Sequence, residues 1–180
     1  ADGAWSVAGS TLKAALDDGV LLVGTLTVTD ITGDTDKAAA LTDFTAPKTG
    51  ATNVTLTAND NAWQIATGNL TTALATNAAK IKFASTDTIT VTGITGNTDK
   101  AAALTAYTAP LTGANTVILT ADDNAWTIAT AKLTTALATD GAKIKFAGTD
   151  TLTVTGISGD TEKAAALTAF TASKTGASTV

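Results

Sequence analysis

The run from Thr25 to Leu41 returns from Thr88 to Leu104 and again from Thr151 to Leu167, so a 63-residue period governs the chain. Trp63 and Trp126 keep the same spacing, as do Pro47 and Pro110. Differences between copies are mild, such as Ile89 against Leu152 and Asp99 against Glu162. This is tandem duplication, and it constrains the fold strongly. A unit that recurs in tandem buries its apolar face against its neighbours. The reading is one continuous array over 1–180: repeat 1 about 1–57 and shortened, repeat 2 about 58–120, repeat 3 about 121–180 and cut in a strand. The shortening falls mainly between Gly19 and Thr25, which places a loop there.

Each unit reads as strand, helix, strand, helix. Thr151 to Thr155 alternates, with Leu152 and Val154 on one face and threonines on the other, as a half-buried strand does. Gly156 to Asp160 breaks the chain. Asp160 is placed to cap a helix, Glu162 favours its positive end, and Lys163 to Phe170 has helix-forming composition, with Leu167 and Phe170 on its inner face. Asn115 to Thr120 is the next strand. Asp122, Asp123 and Asn124 then cap a second helix along which Trp126, Ala129, Leu133 and Leu137 share a side, and Asp140-Gly141 stops it. Lys143 to Phe146 opens the next strand pair. Strands joined by such helices run parallel. The expected fold is therefore α/β, with units stacked as an α/β solenoid of two roughly 30-residue coils per repeat. A closed doubly wound domain is the competing arrangement.

Composition narrows the chemistry. The chain has no His, no Cys and no Met, and all 11 basic residues are lysine. Thiol catalysis, disulfides, a Ser-His triad and the usual zinc or haem sites are excluded. A net charge of −5 leaves no basic face for nucleic acid. The longest apolar run, Gly19 to Leu26, falls far short of the roughly 20 residues a bilayer helix needs. No membrane span, no catalytic residue and no cofactor are expected, and enzyme is the least favoured class.

Three features carry a candidate chemistry. The acids Asp34, Asp36, Asp60, Asp99, Asp122, Asp123, Asp160 and Glu162 recur at strand-to-helix junctions, where calcium would find oxygen ligands. Helix capping accounts better for their position and for Asn59 and Asn97 in equivalent places. Threonines such as Thr25, Thr27 and Thr29 form rows like those of ice-binding surfaces, but Ile118 interrupts the pattern at the place of Thr55, and threonine is a favoured strand residue. Trp5, Trp63 and Trp126 would suit carbohydrate stacking; an apolar stripe after each favours a core anchor.

The two ends suggest an interface. Ala177 to Val180 matches Ala114 to Val117, which runs on into a strand, and Ala1 to Trp5 matches the stretch just past that strand. An open array leaves unpaired strand edges. Where a later copy reads Ala142 to Lys145, the first reads Val20, Leu21, Leu22, Val23, apolar on both faces and wanting cover on both. Head-to-tail self-assembly is expected through Val20, Leu21, Leu22, Val23, Ser178, Thr179 and Val180, with other copies of the chain as partners.

The Thr-rich strand, the Asp after it and the Ala-Ala-Ala-Leu helix, present in all three copies, resemble the repetitive regions of large secreted bacterial surface proteins. Adhesin stalks, surface-layer proteins and extracellular fibre subunits are of this kind. The resemblance implies an extracellular or cell-surface structural protein that assembles into a fibre or layer. Its alternatives are a monomeric stalk segment of a giant adhesin, or an ice- or glycan-binding repeat. Calcium-binding nonapeptides, frequent in such proteins, are absent from the chain.

Overall fold

The computed structural model describes residues 3–77, 80–140 and 143–180. The first stretch holds β1 (Ala4–Ala8), α1 (Gly9–Asp17), β2 (Thr25–Ile31), α2 (Gly33–Asp43), the one-turn α3 (Ala46–Thr49) and β3 (Asn53–Ala58). Next come β4 (Ala62–Ala66), α4 (Thr67–Asn77), β5 (Ile81–Phe83), β6 (Thr88–Ile94), α5 (Gly96–Ala106), α6 (Ala109–Thr112) and β7 (Thr116–Ala121). The last stretch holds β8 (Ala125–Ala129), α7 (Thr130–Asp140), β9 (Ile144–Phe146), β10 (Thr151–Thr155), α8 (Gly159–Ala169) and α9 (Ala172–Thr175).

The fold is α/β, and every described strand pair is parallel. Strands lie in three sheets, ordered β1-β2-β3-β5, β4-β6-β7-β9 and β8-β10. The third is edged by a bridge from Thr151 to Thr179. Alternation sets the faces: Leu26, Val28, Val54 and Leu56 are buried while the threonines between them are half-exposed. A bulge after Val28 and Val91 adds a residue, so Ile31 and Ile94 return to the buried face. Asp30 and Gly93 take the left-handed conformation there, with φ of 57° and 71°.

The chain changes sheet three times per full copy, α4 returning it from β4 in the second sheet to β5 in the first. Asn59 to Asn61 carry it from β3 in the first sheet to β4 in the second, and Ala84 to Asp87 carry it from β5 to β6. Helices then tie neighbouring sheets. α2 packs on β2 and also on β4, and α5 packs on β6 and β8.

Two expectations need correction. A full unit contains four strands: besides the strands expected, including the one at Lys143 to Phe146 (β9), the Trp segment is itself a strand. Trp63 and Ile65 in β4, and Trp126 and Ile128 in β8, alternate buried with exposed neighbours at period two. The helix after each Trp strand starts only at Thr67 and Thr130, so Trp126 and Ala129 are not on the face that carries Leu133. Packing decides this: each indole meets a phenylalanine edge-on, Trp63 with Phe83 at 5.0 Å and Trp126 with Phe146 at 4.9 Å. Second, Phe170 is buried, but Leu167 is exposed, unlike its counterparts Leu41 and Leu104. The expected stop at Gly141 lies outside the described residues.

Gly113 closes α6 with φ of 84°, and a Cβ there would stand 2.8 Å from the Phe83 carbonyl oxygen. Gly50 and Gly176 hold the same place after α3 and α9. Gly113→Ala is expected to destabilise the fold by about 2–3 kcal/mol, combining left-handed strain with that contact. Urea denaturation measures it; an unchanged midpoint would refute the steric account.

Candidate functional site

Two fully buried carboxylates, those of Asp87 and Asp150, sit where the chain changes sheet. Asp87 Oδ2 accepts the indole N–H of Trp63 at 2.7 Å and the backbone N–H of Ala58 at 3.0 Å. Its Oδ1 accepts the Thr86 hydroxyl at 3.1 Å. Asp150 repeats this with Trp126, Ala121 and Thr149. One carboxylate thus joins the end of a strand in one sheet to the Trp strand of the next. These two aspartates escaped sequence reasoning. The available signal was an Asp 24 residues after each of Trp63 and Trp126. The first copy has Gly24 instead, and Trp5, which donates to the Val23 carbonyl, is 48% exposed against 1% and 0% for Trp63 and Trp126.

A second polar link crosses the same junctions. Lys37 on α2 bonds both carboxylate oxygens of Asp60, at 2.9 and 2.7 Å, and Lys100 on α5 bonds both of Asp123, each at 2.7 Å. These lysine side chains are only 8% and 7% exposed. The lysine bond, then the backbone N–H of Ala62 or Ala125, holds the two carboxyls below the ordinary value of 3.8. Asp60 and Asp123 are therefore not helix caps; they occupy strand-to-strand turns. The residues preceding α2, α5 and α8 are Thr32, Thr95 and Ser158. At α8, Glu162 accepts both the backbone N–H and the hydroxyl of Ser158, which lowers its own pKa. Among the described residues no group of three His, Cys, Asp or Glu side chains is placed to hold a metal ion.

The expected interface residues fall in two places that the single chain does not bring together. Val20 to Val23 form no strand. Their counterparts in β5 and β9 are held by ladders to β3 and β7, and the described residues include no such neighbour for this segment. Leu22 is buried and donates its backbone N–H to Thr49, whereas Val20, Leu21 and Val23 are exposed, Leu21 at 65% and Val23 at 79%. Ser178 and Thr179 lie beside the third sheet. Ser178 donates to the Asp150 carbonyl, and Leu152 donates to that of Thr179. Val180 is exposed at the rim of an open groove of about 620 Å³ that Val154, Ile157, Leu167 and Phe170 also line.

The threonine rows are short. Across the second sheet one row reads Gln64, Thr90, Ile118, Lys145, and in the first Ser6, Thr27, Thr55, Lys82. Among the described pairs no row holds more than two adjacent threonines. Trp63 and Trp126 are buried, so neither offers a ring face to a sugar. Among the described residues no helix is long and apolar enough to cross a membrane. No family model matches the chain, and neither curated proteins nor solved structures give a significant match.

Asp150→Ala should destabilise the fold by about 2–5 kcal/mol, since it leaves the Trp126 indole and the Ala121 amide buried without an acceptor. A loss under about 1 kcal/mol by urea denaturation would mean that water replaces the carboxylate. The lysine links give a pH signature. A carboxyl held low when folded binds its proton first in the unfolded chain. Its stabilisation is thus complete above the ordinary pKa and fades as pH falls through the folded one. Urea midpoints should drop below about pH 4. The Asp60→Asn, Asp123→Asn double variant should show a shallower acid limb, and an equally steep one would rule the pairs out as its source.

Proposed function

We propose that the chain is an extracellular structural protein, not an enzyme, whose repeats stack as an open α/β solenoid and associate head-to-tail into a fibre or layer. The observation that carries this reading is one pair of surfaces seen covered inside the chain and uncovered at its two ends. Leu41 and Leu104, on α2 and α5, are 5% and 4% exposed beneath the neighbouring unit; Leu167 on α8 is 80% exposed. Trp63 and Trp126 are buried on the opposite side of the same junctions, and Trp5 is not. Exposed apolar surfaces of this kind mark contact sites. Because the two differ, their contact is heterologous, and such contacts propagate unless they close into a ring. The acidic, cysteine-free composition and the resemblance to repetitive surface proteins support the extracellular assignment.

Negative-stain electron microscopy of the purified chain over a concentration series is expected to show regular fibres or sheets. The double variant Leu21→Lys, Val23→Lys should remain folded, since both side chains are exposed, and should abolish assembly. Isolated short particles from the unaltered chain at every concentration would instead identify a monomeric stalk segment whose neighbours are further repeats of a longer polypeptide.

A further inference from the structure

Resting on the head-to-tail reading, we infer that Val20 to Val23 of one copy supply the fourth strand of another copy's third sheet, added in parallel with Val20 beside Val180. The first two sheets show where a fourth strand comes from. Each is closed by the repeat that follows: β5 of repeat 2 joins β3 in the first sheet, and β9 of repeat 3 joins β7 in the second. Among the described residues the third sheet holds β8, β10 and the bridge at Thr179, and no fourth strand closes it. Val20 to Val23 stand in repeat 1, and the described residues hold no preceding sheet for them to close.

Backbone contacts fix the register. A Cβ at Gly50 would stand 2.9 Å from the Leu22 carbonyl oxygen, one at Gly113 2.8 Å from that of Phe83, and one at Gly176 2.7 Å from that of Phe146. Leu22 therefore holds the place of Phe83 and Phe146. Val20 holds that of Ile81 and Ile144, which pair with Val54 and Val117. At the other end, Ser178 donates to the Asp150 carbonyl as Asn115 donates to that of Asp87, so Val180 holds the place of Val117. Leu152 takes the Thr179 carbonyl on one side, and the next N–H, that of Val180, points to the free edge. Val54 and Val117 donate there to the carbonyls of Lys80 and Lys143, at 2.5 and 2.6 Å, and Gly19 is the corresponding acceptor. Apolar burial agrees with this register. Val54, Val117, Ile81 and Ile144 are fully buried, whereas Val20 and Val180 are each 46% exposed. Val154 and Ile157 in the open groove are half-buried, while their counterparts Val91 and Ile94 are fully buried. Main-chain bonds to a sheet edge, with apolar side chains closing the buried face, make this a strand addition. Since each internal fourth strand comes from the next repeat, the edge selects a second copy of this chain.

The chain has no cysteine, so introduced thiols report this contact alone. The double variant Val20→Cys, Val180→Cys changes two exposed positions and, in reductant, should sediment as the unaltered chain does. Mild oxidation should then give a ladder of disulfide-linked oligomers on a non-reducing gel, with each single variant staying monomeric. Val23→Cys, Val180→Cys should cross-link roughly tenfold more slowly, since three residues along a strand is about 10 Å, beyond the roughly 7 Å a disulfide spans. An assembling chain whose Val20 and Val180 thiols do not join, or join no faster than the Val23 pair, would overturn this register while leaving head-to-tail assembly standing. Equally fast cross-linking of either single variant would mean that like ends meet, and a strictly monomeric unaltered chain that no ends meet; each would overturn both readings.

Discussion

The buried carboxylates of Asp87 and Asp150 hold together what would otherwise be separate sheets. The chain leaves one sheet and enters the next through a three-residue turn, and a strand ending there presents an amide with no ladder partner. A buried amide without an acceptor is costly. The aspartate accepts that amide and the tryptophan N–H together, so it satisfies the strand end and fixes the indole at once. The orientation of the indole then allows the edge-on contact with Phe83 or Phe146. Where the aspartate is absent, at Gly24, the tryptophan is half-exposed.

The helices complete each junction. α2 and α5 straddle two sheets, and each sends a lysine into the seam to meet a turn aspartate on the far side. Exposed ion pairs contribute little, but here the lysine is desolvated and its charge needs that partner. An interface with a leucine, a lysine and a tryptophan in fixed places is specific for the next unit. In a stacked array each unit's stability depends on its neighbours. Leu167 and Trp5 lack the cover that Leu41, Leu104, Trp63 and Trp126 have.

Much of this was legible beforehand. Thr-x-Thr alternation located β2, β6 and β10, and Ala-rich composition located α2, α5 and α8, because period-two burial and helix propensity are local properties. The Trp strands were misread because a five-residue alternating run abuts a helix, and Trp126, Ala129 and Leu133 mimic a helical stripe across the boundary. Asp60 and Asp123 looked like caps because each stands in a turn after a strand. Nothing local reveals that a lysine 23 residues earlier reaches back to them. Leu21 and Val23 are exposed despite their apolarity, and the strand they were expected to form is missing.

The sequence alone determined the period, the α/β class with parallel strands, the absence of thiol and imidazole chemistry, and the apolar character of Val20 to Val23. Each follows from composition or from contacts within a few residues. Only the tertiary structure decided that the strands divide among three sheets, that Asp87 and Asp150 are buried, and that Leu167 differs from two leucines in identical local sequence. The physical reason is the same in each case. Burial and charge pairing depend on what lies across a junction, and residues that meet there are more than 20 positions apart in the chain.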